Sequence, residues 1–155
     1  MQIQLLKKKL MAKDNYLDLF DCQQKAIDHC VWLNFKYRIA KIQFGIIPHP
    51  NNKWAVCEEA TANEMKMPFI DILPKDYAKM DYDKIRQLRM ENDPLPHLEE
   101  ISGLFSTIDG EILRFILHSK IPLEKLIRFE LAGRGYDENH RWCGFTKSFE
   151  IWLNE

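Results

Sequence analysis

The stretch from Tyr37 to Cys57 constrains the fold more than any other. Over Tyr37–Ile47, Ala40, Ile42, Phe44 and Ile46 alternate with Ile39, Lys41 and Gln43. A two-residue period of this kind belongs to an extended chain with one face turned to a core. Pro48-His49-Pro50-Asn51-Asn52 interrupts the run with residues that favour turns, and Lys53–Cys57 resumes an extended pattern. The reading is a β-hairpin over 37–57 closed by a five-residue loop.

A two-stranded hairpin alone is marginal in water, so this one needs a third strand or a helix against it. Met67–Leu73 supplies the strand, with Pro68 at its start, where a missing N–H is tolerated. The helix is predicted over Asn15–Phe35. Tyr16, Leu19, Phe20, Ala26, Ile27, Cys30 and Val31 recur at helical spacing, opposite polar Asp21, Gln24, Lys25 and Asp28. Asn15 suits its N-cap and Asp18 the positive end of its dipole. The segment Met1–Ala12 reads equally as a short helix or, if Ile3 and Leu5 alternate inward, as a strand.

Beyond Pro74 the pattern turns helical. Asp81 is placed to cap a helix over Tyr82–Met90. Asn92-Asp93-Pro94-Leu95-Pro96 ends it, because each proline pushes its predecessor out of the helical region. Three short helices follow, His97–Phe105, Gly110–Ser119 and Pro122–Ala132. Pro122 suits the first helical position and Gly133 the residue past the end. Lys147–Leu153 brings Phe149, Trp152 and Leu153 to one face. The expected fold class is α+β, an amphipathic helix with a small antiparallel sheet followed by a C-terminal helical block. A chain of 155 residues is expected to be a single domain, with a 1–91 part and a 97–155 part joined by the 92–96 linker.

Charge and cysteine usage narrow the function classes. With 22 Lys and Arg against 23 Asp and Glu the net charge is -1, and a nucleic-acid binder ordinarily accumulates positive charge. Lys7-Lys8-Lys9 is the densest basic cluster. Nucleic acid is therefore an unfavoured partner. Cys22, Cys30, Cys57 and Cys143 form no C-x-x-C pair, and six Met with four unpaired thiols suit a reducing compartment. The Leu5, Leu6, Leu10 run is too short for a signal peptide or a membrane span. These readings lead to a cytoplasmic protein off the membrane, with no metal and no cofactor.

The most unusual stretch is Gly133–Phe145, which crowds charge, aromatics and a histidine between two helices. Gly133 and Gly135 close a helix rather than open one, unlike a dinucleotide-binding loop. Two uses compete. In one, Tyr136 and Trp142 plug the core and the charges are solvated. In the other the loop is a recognition surface of Arg134, Tyr136, Asp137, His140, Arg141 and Trp142. Its arginines would meet anionic groups, and its aromatics would act as anchors of the kind enriched at binding hot spots.

The leading expectation is a non-catalytic protein-binding module, of the inhibitor or immunity type, that neutralises another bacterial protein. No G-x-S-x-G, H-E-x-x-H, P-loop or EF-hand pattern points to catalysis. The alternatives are an enzyme with a nonstandard site around His140, Cys143 and Glu58, Glu59 and Glu64, and a nucleic-acid-associated protein using Lys7–Lys9 with Arg134 and Arg141. In the enzyme reading Cys143 would be a nucleophile with His140 as its base. Cys22, His29 or Cys57 would have to join His140 and Cys143 to complete a zinc site. His49 is expected to project at the hairpin tip and His118 to be half-buried on its helix.

Overall fold

The computed structural model describes residues 17–73 and 75–154. Met1–Ala12, the Lys7–Lys9 cluster, Asn15 and Tyr16 lie outside them. Contacts divide the chain into two compact units, one up to Leu104 and one from Phe105 onward. The fold class is α+β, with eight helices and one four-stranded antiparallel sheet among the described residues.

The first unit is built on the predicted hairpin, β2 (Phe44–His49) and β3 (Lys53–Glu58). Its register pairs Gly45 with Cys57, Ile46 with Val56 and Ile47 with Ala55. The loop is shorter than expected. His49 pairs with Lys53, leaving Pro50, Asn51 and Asn52, and both asparagines take the left-handed conformation that closes the turn. His49 is half-buried, with Nδ1 3.2 Å from the Pro50 carbonyl.

The first strand also begins later than its alternation suggests. Helix α1 (Gln23–Lys36) is followed by turns over Tyr37–Lys41, and Lys41 has φ 55°. A chain leaving a helix must reverse before it joins the sheet, and residues 37–43 are used in that reversal. The Asn34 amide then fixes where the strand starts. Its Oδ1 accepts from the Phe44 N–H at 2.8 Å, and its Nδ2 donates to the carbonyls of Phe44 at 3.0 Å and Ile72 at 2.8 Å.

The helix expected over Asn15–Phe35 is corrected at its N-terminal end. Asp18–Phe20 is a strand, β1, paired antiparallel with β3 through Asp18–Val56 and Phe20–Trp54. Without it the outer edge of β3 would leave its backbone groups unpaired. Edge pairing overrides the helical spacing of Leu19 and Phe20. Helix α1 starts only at Gln23, after Cys22, which makes no side-chain cap.

The strand expected over Met67–Leu73 contracts to β4 (Ile70–Asp71), paired with Gly45 and Ile46. The sheet order is therefore β1-β3-β2-β4. Both of its faces are covered. Ile46 and Val56 pack with Ala26, Cys30 and Val31 of α1 and with Ile72. Ile47, Ala55 and Cys57 pack on the other face with Leu17 and with Ala62 and Met65 of α2 (Glu59–Met65). Gly45 is required here, because a Cβ would run into the Phe69 ring and the Ile70 carbonyl.

Helices α3 (Lys75–Ala78), α4 (Tyr82–Met90) and α5 (Pro96–Ser106) follow. Asp81 caps α4 as predicted, accepting from the Lys84 N–H at 2.8 Å. Asn92–Pro96 is tied to α1. Lys25 Nζ donates to the Asp93 carbonyl at 2.7 Å and pairs with Glu91 at 3.3 Å. Just beyond, His97 stacks on Trp32 with ring centroids 5.0 Å apart.

In the second unit, α6 (Gly110–His118) is capped by Asp109, which accepts from the Glu111 N–H at 2.7 Å. His118 on its last turn is exposed rather than half-buried. Helix α7 (Leu123–Gly133) keeps Pro122 just outside its first turn and includes Gly133, so the glycine just past its end that takes a positive φ is Gly135, at 74°. Helix α8 (Phe145–Leu153) starts two residues earlier than expected and packs on α7. Among the described residues no helix is long and apolar enough to cross a membrane.

Candidate functional site

The loop between α7 and α8 is a small folded object. Tyr136 and Trp142 form an antiparallel bridge, and the turn between them is closed by hydrogen bonds to Asp137. The Asp137 N–H donates to the Arg141 carbonyl at 2.9 Å, and its carbonyl accepts from the His140 N–H at 3.0 Å. Its side-chain Oδ1 accepts from the Asn139 and Arg141 N–H groups, each at 2.9 Å. The Arg141 amide, and after it that of Asn139, hold the Asp137 carboxyl below its usual 3.8, since both stabilise the charged form. His140 closes the turn with φ 58°.

The base of the loop is fixed to the helices. The Tyr136 carbonyl accepts from Ser148 Oγ at 3.0 Å and from the Trp152 indole N–H at 2.9 Å, so α8 holds the loop by its backbone. Ser148 is fully buried. The Cys143 N–H donates to the Gly135 carbonyl at 3.0 Å. Gly135 is buried, and its missing side chain makes room for the Trp142 ring.

Above this frame lies a run of aromatic rings. Tyr136 is stacked with His140 at 4.7 Å between centroids and meets Trp142 edge to face at 5.6 Å. Trp142 in turn meets Phe145 edge to face at 5.3 Å. Such edge-to-face contacts set the rings' directions as well as their spacing. Trp142 is nevertheless 60% exposed and Phe145 58%.

The six residues singled out by sequence therefore differ in what they have left to offer. Asp137 is engaged by its own turn, and Tyr136 is half-buried at the base. The Arg134 guanidinium is paired with Glu130 at 2.9 Å. His140 is exposed but stacked, while Arg141 and Trp142 face outward. Phe145 was missed, because a large apolar ring at a helix start reads as core, and its 58% exposure carries no signal in the sequence.

The residues of the other readings are placed as follows. Cys143 Sγ is 3.6 Å from the Gly135 carbonyl and 3.7 Å from the Gly144 carbonyl, neither of which is a base. Glu59 and Glu64 belong to α2 and Glu58 ends β3, all in the first unit. Cys57 is buried on the α2 side of the sheet, whereas His29 on α1 is paired with Asp18 at 2.7 Å. No group of three or more His, Cys, Asp or Glu among the described residues is placed to hold a metal ion.

The sequence did not reveal a cavity of about 490 Å³ in the first unit, lined by Asp28, Asp71, Asp76, Asp81 and Lys84 among others. Its carboxylates are already used by the chain. Asp28, almost wholly buried, receives Lys84 at 3.1 Å and Gln24 at 3.2 Å. Asp71 accepts from Gln43, Asp76 from the Leu73 N–H and Asp81 from the Lys84 N–H. The cavity's polar groups hold α1, α3 and α4 together.

No protein-family model matches the sequence, and no curated protein or solved structure matches it either.

Proposed function

We propose that this chain is a non-catalytic protein-binding module that docks a partner protein through the 133–145 loop, with Trp142 and Phe145 as its anchors. The observation that carries the reading is the exposure of those two adjoining rings on a loop whose turn is closed by hydrogen bonds at Asp137, Asn139, His140, Arg141 and Cys143. Leaving an indole in water forgoes about 2 kcal/mol or more that its burial would return. A loop already held in one conformation loses little entropy on binding, so more of that gain appears as affinity.

Arg141 is exposed and precedes Trp142 in the chain, and a charge at the edge of an interface steers encounter and selects partners more than it adds affinity. Occluding a partner's surface, as an inhibitor or immunity-type protein does, requires no chemistry from the loop itself.

The test uses the full chain as bait in its native host, wild type against Trp142→Ala/Phe145→Ala. Specific capture by the wild type, lost in the variant with the melting temperature unchanged within a few degrees, supports the reading. Equal capture by both overturns it. A variant that unfolds assigns the rings to the fold and overturns it as well.

A further inference from the structure

We infer that His97 is a proton-operated latch, which holds the first turn of α5 on α1 while its ring is neutral and releases it when the ring is charged. The ring lies flat against Trp32 of α1, with centroids 5.0 Å apart and an interplanar angle of 11°. The backbone of Asp28, one turn earlier on α1, hydrogen-bonds the ring. Its Nε2 is buried, with no hydrogen-bond partner among the described residues. In a neutral imidazole that nitrogen can stand as an acceptor whose lone pair goes unused. Protonation turns it into a charged donor with nothing to receive it, and a buried charge without a partner costs far more than an unused lone pair. Attraction of the charged ring to the Trp32 face offsets only part of that cost. The docked position therefore favours the neutral ring.

The charged groups around the ring do not reverse this balance. Burial holds His97 below its ordinary 6.5, and the charge of His29 on α1 acts in the same direction. The charge of Asp28, its backbone hydrogen bond and Glu100 on α5 pull the other way without overcoming them. Asp28 is itself engaged by Lys84 of α4 at 3.1 Å, and His29 by Asp18 of β1 at 2.7 Å. A base whose folded value is depressed adds stability that is complete above its ordinary value and is lost as pH falls below it. The start of α5 is thus held at neutral pH and freed progressively below 6.5. The linker before it stays in place, because the Asp93 carbonyl that Lys25 holds at 2.7 Å does not titrate. The pivot falls on Pro94–Pro96, between that anchor and the ring, and release uncovers the Trp32 face.

Proton NMR of the full chain, titrated from about pH 7.5 to about pH 5, tests this. The His97 ring protons should titrate below 6.5, and cross-peaks between the His97 and Trp32 rings should fade over the same range. The ratio of held to released chain should fall by no more than about tenfold per pH unit, as one proton allows. His97→Phe keeps a ring against Trp32 without a titrating group, and its cross-peaks to Trp32 should persist to the acid end. A His97 ring that charges at or above 6.5, cross-peaks that survive its protonation, or the same acid loss in His97→Phe overturns the proposal. If His97→Phe does not fold, the wild-type titration decides alone through the first two of these outcomes.

Discussion

The Trp142 indole lies directly over Gly135. A Cβ built on that glycine would stand 2.5 Å from Cζ3 and 2.9 Å from Cη2 of the ring, and its φ of 74° is one that L-residues rarely adopt. The glycine thus sets both the loop's backbone and the position of its outermost ring. Gly135→Ala must move the indole or distort the turn, at a cost of about 1 to 3 kcal/mol. Chemical denaturation of the two proteins measures that cost. Fluorescence of the variant should also show a changed Trp142 environment, and an unchanged spectrum with unchanged stability would contradict the geometry.

Asn34 makes a second such joint, in the first unit, where one amide serves the Phe44 N–H and the carbonyls of Phe44 and Ile72. Asn34→Ala removes these three hydrogen bonds and a weaker one to Cys30 Sγ at 3.6 Å from a half-buried site, and is expected to cost about 2 to 4 kcal/mol. Asn34→Asp should be no better at neutral pH, since a carboxylate would face two carbonyls. The comparison of both midpoints with wild type checks this, and a near-neutral Asn34→Ala would show that the strand start is fixed by other contacts.

These joints also explain what could be read in advance. The hairpin was legible because its alternation and its Pro- and Asn-rich turn are local signals, and Asp81 because a cap acts within one turn. Strand β1 was not, since Asp18–Phe20 carries no strand pattern of its own and is extended only because the edge of β3 lies beside it. The late start of β2 depends on Asn34, ten residues upstream. In the loop, composition drew attention to Trp142 but could not show that Asp137 is consumed by its neighbours' amides or that Arg134 is held by Glu130.

The Asp28–Lys84 pair makes a separable prediction. The two side chains are 3% and 17% exposed and 3.1 Å apart. Lys84→Met leaves a buried carboxylate that still accepts from Gln24 but has lost its counter-charge, and should cost about 3 kcal/mol. Replacing both, as Asp28→Leu/Lys84→Met, should recover much of that cost because no uncompensated charge remains. Denaturation midpoints of the single and double variants give the coupling, and simple additivity would rule out a direct interaction.

The four thiols should separate by rate. Burial pushes Cys30 up to about 12 and Cys57 up to about 11, and both side chains are enclosed on the sheet's two faces. Cys22 is exposed and Cys143 half-buried. Alkylation of the native protein at neutral pH should mark Cys22 first and Cys143 more slowly, with Cys30 and Cys57 reacting only as the chain opens. Peptide mapping against time reads the order. Cys143 labelled ahead of Cys22 would instead indicate an activated thiolate and strengthen the enzyme reading.

The loop's order should fail in acid. The Asp137 carboxyl titrates below its usual 3.8 because the Arg141 and Asn139 amides stabilise its charged form. A group depressed in the folded state contributes stability that is present above its unfolded value and disappears as pH falls through its folded value. The turn should therefore be intact at neutral pH and down to about pH 4, and loosen below it. Amide resonances of Asn139 and Arg141 followed by NMR should move together in that range, with Asp137→Ala giving the loosened positions at every pH. Amides that hold their shifts to pH 2 would mean that the backbone bonds between Asp137, His140 and Arg141 keep the turn without the carboxylate.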